Sequence, residues 1–210
     1  MIGTQLLSWL QTFSSWYIIL PLIIVIFRWK THDVFQRRVA WYVIFNISFT
    51  GLTALITNNL FLYYIASPLF LWVIYRIFES LIGTYKVWVY FKCIVIGFAF
   101  FVSIDMFWIE DLDKFPNNVY PLQEIIVLMM VYFYFYIFSK EARQEFSALW
   151  VSLGIGLSAL IILIILIYNP YLGFKPNTIG DFIWNGLGSF TTIISYSFVS
   201  YGLYIARPKF

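Results

Sequence analysis

Seven apolar stretches run through the 210-residue sequence, and each is about as long as a membrane-spanning helix. A spanning helix needs about 20 mostly apolar residues, because the hydrocarbon core of a bilayer is about 30 Å thick. Inside that core the backbone must satisfy its own hydrogen bonds, so these stretches predict helices. The sequence therefore predicts an all-α polytopic membrane protein. Its seven helices are predicted at about 7–28, 39–58, 60–80, 86–108, 120–139, 147–168 and 181–205.

The composition agrees with this class of protein. Only 11% of the residues are charged and 62% are hydrophobic, whereas a soluble domain carries about 25% charged residues. The chain therefore has too few charges to cover a water-facing surface, which excludes a soluble enzyme, a disordered chain and a nucleic-acid-binding protein. We expect residues 1–210 to form a single seven-helix transmembrane domain whose main surroundings are the lipid bilayer.

The distribution of lysine and arginine predicts the orientation, because these residues are retained on the cytoplasmic side of a membrane. Only Lys114 and Lys175 fall on one side of the seven helices. The other side is basic, so we predict the N-terminus outside, the C-terminus inside and a cytoplasmic face that contacts a protein partner. The cations on this face are Arg28, Lys30, Arg37, Arg38, Arg76, Lys86, Lys92, Lys140, Arg143, Arg207 and Lys209.

Cysteine and histidine each occur once, as Cys93 and His32. One cysteine cannot form an internal disulfide, and one histidine cannot build a multi-histidine metal site. Neither residue has an evident partner for nucleophilic catalysis. The sequence therefore predicts no metal, no cofactor and no catalytic residue.

Polar residues follow one face of the second helix and one face of the seventh. Their spacing of four, three and four residues places each set on a single side of its helix. Two interpretations remain open: the small side chains allow close helix packing, or the stripes line a pathway through the membrane. The stripes are Asn46, Thr50, Thr53 and Thr57 on the second helix, and Asn185, Ser189, Thr192 and Tyr196 on the seventh.

A second polar group is predicted near the outer membrane surface. Glu124 and Gln123 lie about one turn into the fifth helix, and Asp105 lies near the outer end of the fourth. Asn58 and Asn185 lie at similar depth, so we predict an outward-facing pocket lined by these five residues. Its ligand should be cationic or a hydrogen-bond donor. The alternative is that Glu124 only complements the dipole at the start of its helix.

Arg76 and Glu79 stand three residues apart at the inner end of the third helix, where they are predicted to pair.

A loose internal similarity relates the two halves of the chain. The first and fifth helices carry Leu20-Pro21-Leu22 and Tyr120-Pro121-Leu122. The second and sixth helices share a pattern of aromatic and small residues. Two three-helix units joined by the fourth helix, a 3+1+3 arrangement, would explain this similarity.

The chain resembles small uncharacterised seven-helix membrane proteins of Bacteroidetes-type bacteria, within the broad seven-helix topology of transporters, opsins and receptors. The residues that carry the resemblance are Asn58-Asn59-Leu60-Phe61-Leu62-Tyr63-Tyr64, the Glu124 helix and Trp184-Asn185. Such proteins are often encoded beside sensor histidine kinases, so the resemblance implies a sensory role. The seventh helix lacks the lysine that binds retinal in microbial rhodopsins, so no retinal is expected.

Three functions follow as hypotheses. The first is a non-catalytic sensory or accessory subunit of a bacterial inner membrane, which has an outward-facing polar pocket and acts through a partner protein. The alternative is a small-solute transporter, which the polar stripes would support. The third is an intramembrane enzyme, which needs a nucleophile–base pair or a metal.

Overall fold

The computed structural model describes residues 2–29, 33–56, 60–109, 117–140, 146–172 and 183–206. This part of the chain is all-helical and contains no strand. Two single π-helical turns also occur, at Asp105–Ile109 and Ile183–Leu187. The α-helices are α1 Ile2–Tyr17, α2 Ile19–Arg28, α3 Val34–Leu55, α4 Leu60–Ile82, α5 Val87–Ile104, α6 Val119–Phe138, α7 Phe146–Leu172 and α8 Gly188–Ile205.

Five segments are long and apolar enough to span a membrane, which identifies a multi-pass membrane protein. They are Gln5–Arg28, Leu60–Ile82, Val87–Ile109, Val119–Phe138 and Phe146–Ile167. These correspond to the first, third, fourth, fifth and sixth predicted spans. The second and seventh predicted spans form helices, α3 and α8, but these are not among the five. The physical reason is composition, since α3 carries Arg37 and Arg38 near its start and α8 is rich in serine, threonine and tyrosine.

The helices group into two compact units. Unit 1 comprises Met1–Trp29 and Glu145–Arg207, which contain α1, α2, α7 and α8. Unit 2 comprises Lys30–Gln144 and Pro208–Phe210, which contain α3 to α6. The prediction that residues 1–210 form a single domain stays a prediction.

In unit 1, α8 packs along α7 and is also contacted by α1 and α2. The approach of α7 and α8 is close because glycine stands at two crossing points. A Cβ added at Gly154 would lie 2.7 Å from the carbonyl oxygen of Ser195, and one at Gly202 would lie 2.7 Å from that of Ser147. A side chain at either position would separate the two helices, so glycine is what permits this packing.

The first predicted span is interrupted at Ile18, between α1 and α2. Pro21 lies three residues further on and lacks the amide that would bond the carbonyl of Tyr17, and its ring crowds the same carbonyl. The break therefore has a local cause in the sequence. Proline is tolerated here because neighbouring groups satisfy the freed backbone in a bundle.

In unit 2, α4 is the central helix and packs against α3, α5 and α6. Aromatic rings fill these contacts. Tyr75 of α4 stacks on Trp88 of α5 with ring centroids 5.2 Å apart, and Phe78 of α4 lies 5.8 Å from Tyr134 of α6. Phe78 is fully buried and Trp88 almost so. Large flat side chains, rather than glycine, therefore hold this unit together.

Candidate functional site

Asp105 lies at the end of unit 2 where α5 ends and α6 begins, which we call the carboxylate end. It opens the π-helical turn Asp105–Ile109 and has no exposed surface. The side-chain amide of Asn118, just before α6, donates to its Oδ1 at 3.2 Å. Its Oδ2 has no partner among the described residues. A buried carboxylate with one unbonded oxygen is costly in a membrane, and π-helical turns are frequent at functional sites.

Gln123 and Glu124 form a second polar pair at the carboxylate end. Both side chains are buried, with 3% and 4% of their surface exposed. The amide Nε2 of Gln123 donates to Oε1 of Glu124 at 2.9 Å, while Oε1 of Gln123 has no partner in the described part of the chain. Within those same residues no polar contact joins this pair to Asp105. The carboxylates thus form two separate pairs, each with an amide, inside one unit.

Aromatic rings lie next to the Gln123–Glu124 pair. The rings of Tyr63 on α4 and Tyr120 on α6 are 5.6 Å apart, and Phe49 on α3 meets Tyr63 edge-on at 5.1 Å. Tyr120 is one helical turn before Glu124, so the two side chains are neighbours on the surface of α6. A carboxylate beside tyrosine rings is an arrangement that attracts cations, because the ring faces carry negative potential.

Not every predicted pocket residue can be assigned to this end of unit 2. Asp105, Gln123 and Glu124 belong to it. Asn58 lies outside the described residues, and Asn185 is half-buried in the π-helical turn before α8, in unit 1. Whether all five residues line one pocket stays a prediction.

The sequence predicted Gln123 beside Glu124, but it did not predict Asn118, Tyr120 or Tyr63 as neighbours of the carboxylates. Asn118 precedes the apolar run of α6, a position at which a polar residue usually signals only a helix start. Tyr120 stands four residues before Glu124, and this spacing was the available signal for the aromatic neighbour. Tyr63 comes from a different helix, so only tertiary packing reveals its place.

The predicted polar stripes bond largely within their own helices. On α3, Asn46 donates to the carbonyl of Tyr42 at 2.8 Å and Thr53 donates to that of Thr50 at 3.0 Å. On α8, Thr192 donates to the carbonyl of Gly188 at 3.0 Å. Thr50 is exposed, Ser189 is buried, and Thr57 lies outside the described residues. Hydroxyls bonded in this way are satisfied locally.

Unit 1 also buries three serine hydroxyls that have no hydrogen-bond partner among the described residues. Ser152 belongs to α7, and Ser195 and Ser200 belong to α8. These side chains are small, and Gly154 approaches the backbone of Ser195 closely. This region of unit 1 is therefore typical of small-residue packing between membrane helices.

The opposite end of unit 2, where α3 begins and α4 ends, carries an ion-pair network that we call the arginine end. The predicted pair is confirmed, with Arg76 2.6 Å from Glu79. Arg38 of α3 also reaches Glu79 at 3.2 Å and donates to the carbonyl of Arg76. The hydroxyl of Tyr75 donates to the same carboxylate at 3.1 Å. The network therefore links α3 to α4, which the sequence alone did not predict.

Among the described residues, no group of three or more histidine, cysteine, aspartate or glutamate side chains could hold a metal ion.

Comparison with known proteins found no matching family model, no matching curated protein and no matching solved structure. The resemblance to small bacterial seven-helix proteins therefore stays a prediction.

Proposed function

We propose that this protein is a non-catalytic membrane subunit that binds a small cationic or hydrogen-bond-donating ligand at the carboxylate end of unit 2 and acts through a partner protein. The observation that carries the proposal is the burial of Asp105 and Glu124, each held by one amide. No lysine or arginine of the described residues pairs with either carboxylate. Ionisable residues inside a membrane are expensive and usually mark a functional site.

The chemistry of this end favours a cation over an anion. Asp105 lies at the C-terminal end of α5, where the helix dipole is negative, so nothing in the helix compensates its charge. Tyr120 stands one turn before Glu124 on α6, and the ring of Tyr63 lies 5.6 Å from that of Tyr120, so aromatic rings add to the negative potential of this end. A cationic ligand would neutralise a carboxylate and contact the rings, and a neutral donor would bond the unpartnered oxygens of Asp105 and Gln123.

Transport and catalysis are supported less well. A transport pathway would need polar groups available to a solute, but Asn46, Thr53 and Thr192 are bonded to carbonyls of their own helices. An intramembrane enzyme would need a nucleophile activated by a base. The carboxylates instead bond amides, which supports a binding role.

The membrane setting is part of the proposal. We propose seven spans, with α3 and α8 as the second and seventh, in the inner membrane of a bacterium. The excess of cations on one side supports an external N-terminus, an internal C-terminus and a basic cytoplasmic face for the protein partner. The weak repeat in the sequence supports a 3+1+3 origin of the chain.

The orientation can be tested with two exposed positions in unit 2. Thr84 lies between α4 and α5, and Asn117 lies just before α6. With exposed Cys93 first replaced by serine, a membrane-impermeant thiol reagent should label Asn117→Cys in spheroplasts. It should label Thr84→Cys only after the membrane is opened. The reverse pattern would contradict the proposed orientation.

The binding role can be tested by changing Glu124→Gln, which keeps the shape of the side chain and removes its charge. The matched control is Asp33→Asn, a carboxylate-to-amide change at the arginine end that preserves the cap of α3. The probes are sodium, ammonium and small alkylamines, added to the purified protein while its thermal unfolding is followed. At least one probe should stabilise the wild type and Asp33→Asn, but not Glu124→Gln.

Partner recovery and solute flux complete the test. Cross-linking in native membranes should recover a partner with the wild type. Proteoliposomes should show no flux of the stabilising probe. Flux that Glu124→Gln abolishes would identify a transporter instead, and equal stabilisation of both variants would exclude Glu124 from the site.

A further inference from the structure

A groove of about 340 Å³ runs along the surface of unit 2 between α4 and α5. None of the four residues of the carboxylate pairs lines it, and its lining is mainly apolar. The volume falls near the lower end of the range for ligand sites, about 300–1,000 Å³. The lining residues are Pro68, Leu69 and Trp72 from α4, and Val95, Ile96, Ala99, Phe100 and Ser103 from α5.

Each wall of the groove continues to a cation. On α4, Leu69, Trp72 and Arg76 are spaced three and four residues apart, and therefore share one face. On α5, Lys92, Ile96 and Ala99 are spaced four and three apart and also share a face. Both cations lie toward the arginine end, where α4 ends and α5 begins.

The two cations lie at similar depth. At 1.5 Å per residue, Arg76 is about 9 Å before the end of α4 and Lys92 is about 7.5 Å after the start of α5. Lys92 is exposed inside the span Val87–Ile109, and it forms no ion pair with the described residues. The Arg76 side chain is 43% exposed although it pairs with Glu79. A lysine exposed within a span needs an anion or must extend to the headgroups.

We propose that this groove binds an anionic phospholipid, with an acyl chain between α4 and α5 and the phosphate at Lys92 and Arg76. The apolar lining matches the chain, and the two cations match the headgroup charge. The negative charge of the phosphate would then compensate the positive charge of Lys92 within the span. The site lies toward the arginine end of unit 2, and it does not depend on the ligand proposed for the carboxylate end.

The experiment measures binding of single lipids to the purified full chain by native mass spectrometry, with phosphatidylglycerol and phosphatidylcholine as probes. The wild type should bind phosphatidylglycerol more tightly. Lys92→Gln removes a side chain that forms no ion pair with the described residues. It should weaken the binding of phosphatidylglycerol about fivefold, the equivalent of about 1 kcal/mol per basic residue. The binding of phosphatidylcholine should be unchanged. The control Lys140→Gln removes the same charge from the end of α6, outside the groove. It should change the binding of neither lipid.

Two further variants test the apolar part of the site. Ala99→Phe fills the middle of the groove, and Ser103→Leu narrows its far end at an exposed position that is easier to accommodate. Either variant should weaken the binding of both phosphatidylglycerol and phosphatidylcholine. If Lys92→Gln and Lys140→Gln weakened phosphatidylglycerol binding equally, the loss would reflect only the net charge of the protein. That result would overturn the proposal. Unchanged lipid binding in Ser103→Leu would also overturn the proposal. The same holds if the groove variants released a co-purifying protein and not a lipid.

Discussion

Unit 1 and unit 2 differ in the polar side chains that they bury. Unit 1 buries small hydroxyls, such as Ser152, Ser195 and Ser200, beside glycines that bring α7 and α8 together. Unit 2 buries two carboxylates at one end and has a partly exposed ion-pair network at the other. Stacked aromatic rings pack its helices together. A hydroxyl in a membrane serves packing at small cost, whereas a buried carboxylate requires a compensating partner.

The difference is consistent with the ligand site that we propose in unit 2. Unit 1 has the features of a scaffold, because its buried polar side chains are serine and threonine and lie where the helices approach closely. In the described part of unit 2, Asp105 and Glu124 are each bonded by one amide and by no lysine or arginine, and this costly arrangement is what the proposed ligand would compensate.

The largest effect is expected in the glycine contacts of unit 1. Gly154→Leu should lower the free energy of unfolding by about 3 kcal/mol or more, because overpacking a close contact displaces backbone. A Cβ at this site already meets the carbonyl of Ser195 at 2.7 Å. Thermal unfolding in detergent measures the effect. The control is Gly97→Leu in unit 2, where a Cβ meets nothing within 4 Å. A similar loss in both variants would remove the contrast between the units.

A smaller effect is expected at the arginine end of unit 2. Glu79→Gln removes the carboxylate shared by Arg38, Arg76 and Tyr75, and leaves two partly buried cations without their anion. We expect a loss of about 2 kcal/mol, below that of a fully buried pair because the site is partly exposed. Unfolding of the variant should also become less sensitive to salt, since no ion pair remains to be screened. An unchanged salt dependence would show that the network contributes little.

The counterpart in unit 1 is Arg28, whose guanidinium donates to the carbonyls of Leu203, Tyr204 and Ala206 at the end of α8. A cation at a helix C-terminus satisfies free carbonyls and complements the dipole. Arg28→Gln should cost about 1.5 kcal/mol, in line with hydrogen bonds from charged donors. Hydrogen exchange should speed up in the last turn of α8 and remain unchanged in α4. Uniform acceleration in both helices would mean that the arginine acts on the whole protein rather than as a cap.

Apolar patterning predicted the helices well, because bilayer thickness sets their length independently of their neighbours. The bounds of α4 and α6 differ from the predicted 60–80 and 120–139 by only one or two residues. The break at Ile18 and the grouping into units were not predicted. Both depend on how the helices pack and on how neighbouring groups satisfy backbone hydrogen bonds. Arg28 illustrates the limit most clearly. The sequence identified it as a topology signal, but its three bonds join residues about 175 positions apart.

The smallest effect is expected for the polar stripes. Thr192→Val on α8 removes a hydroxyl that donates to the carbonyl of Gly188 in the same helix, and Thr53→Val on α3 removes one that donates to Thr50. Those carbonyls belong to the helix backbone, so the loss of the side-chain bond should change the free energy of unfolding by less than about 0.5 kcal/mol. Probe binding at the carboxylate end should be unchanged in both variants. If either one reduced binding of the cationic probe as strongly as Glu124→Gln does, the stripe would belong to the binding pathway. The contrast between a packing unit and a binding unit would then be wrong.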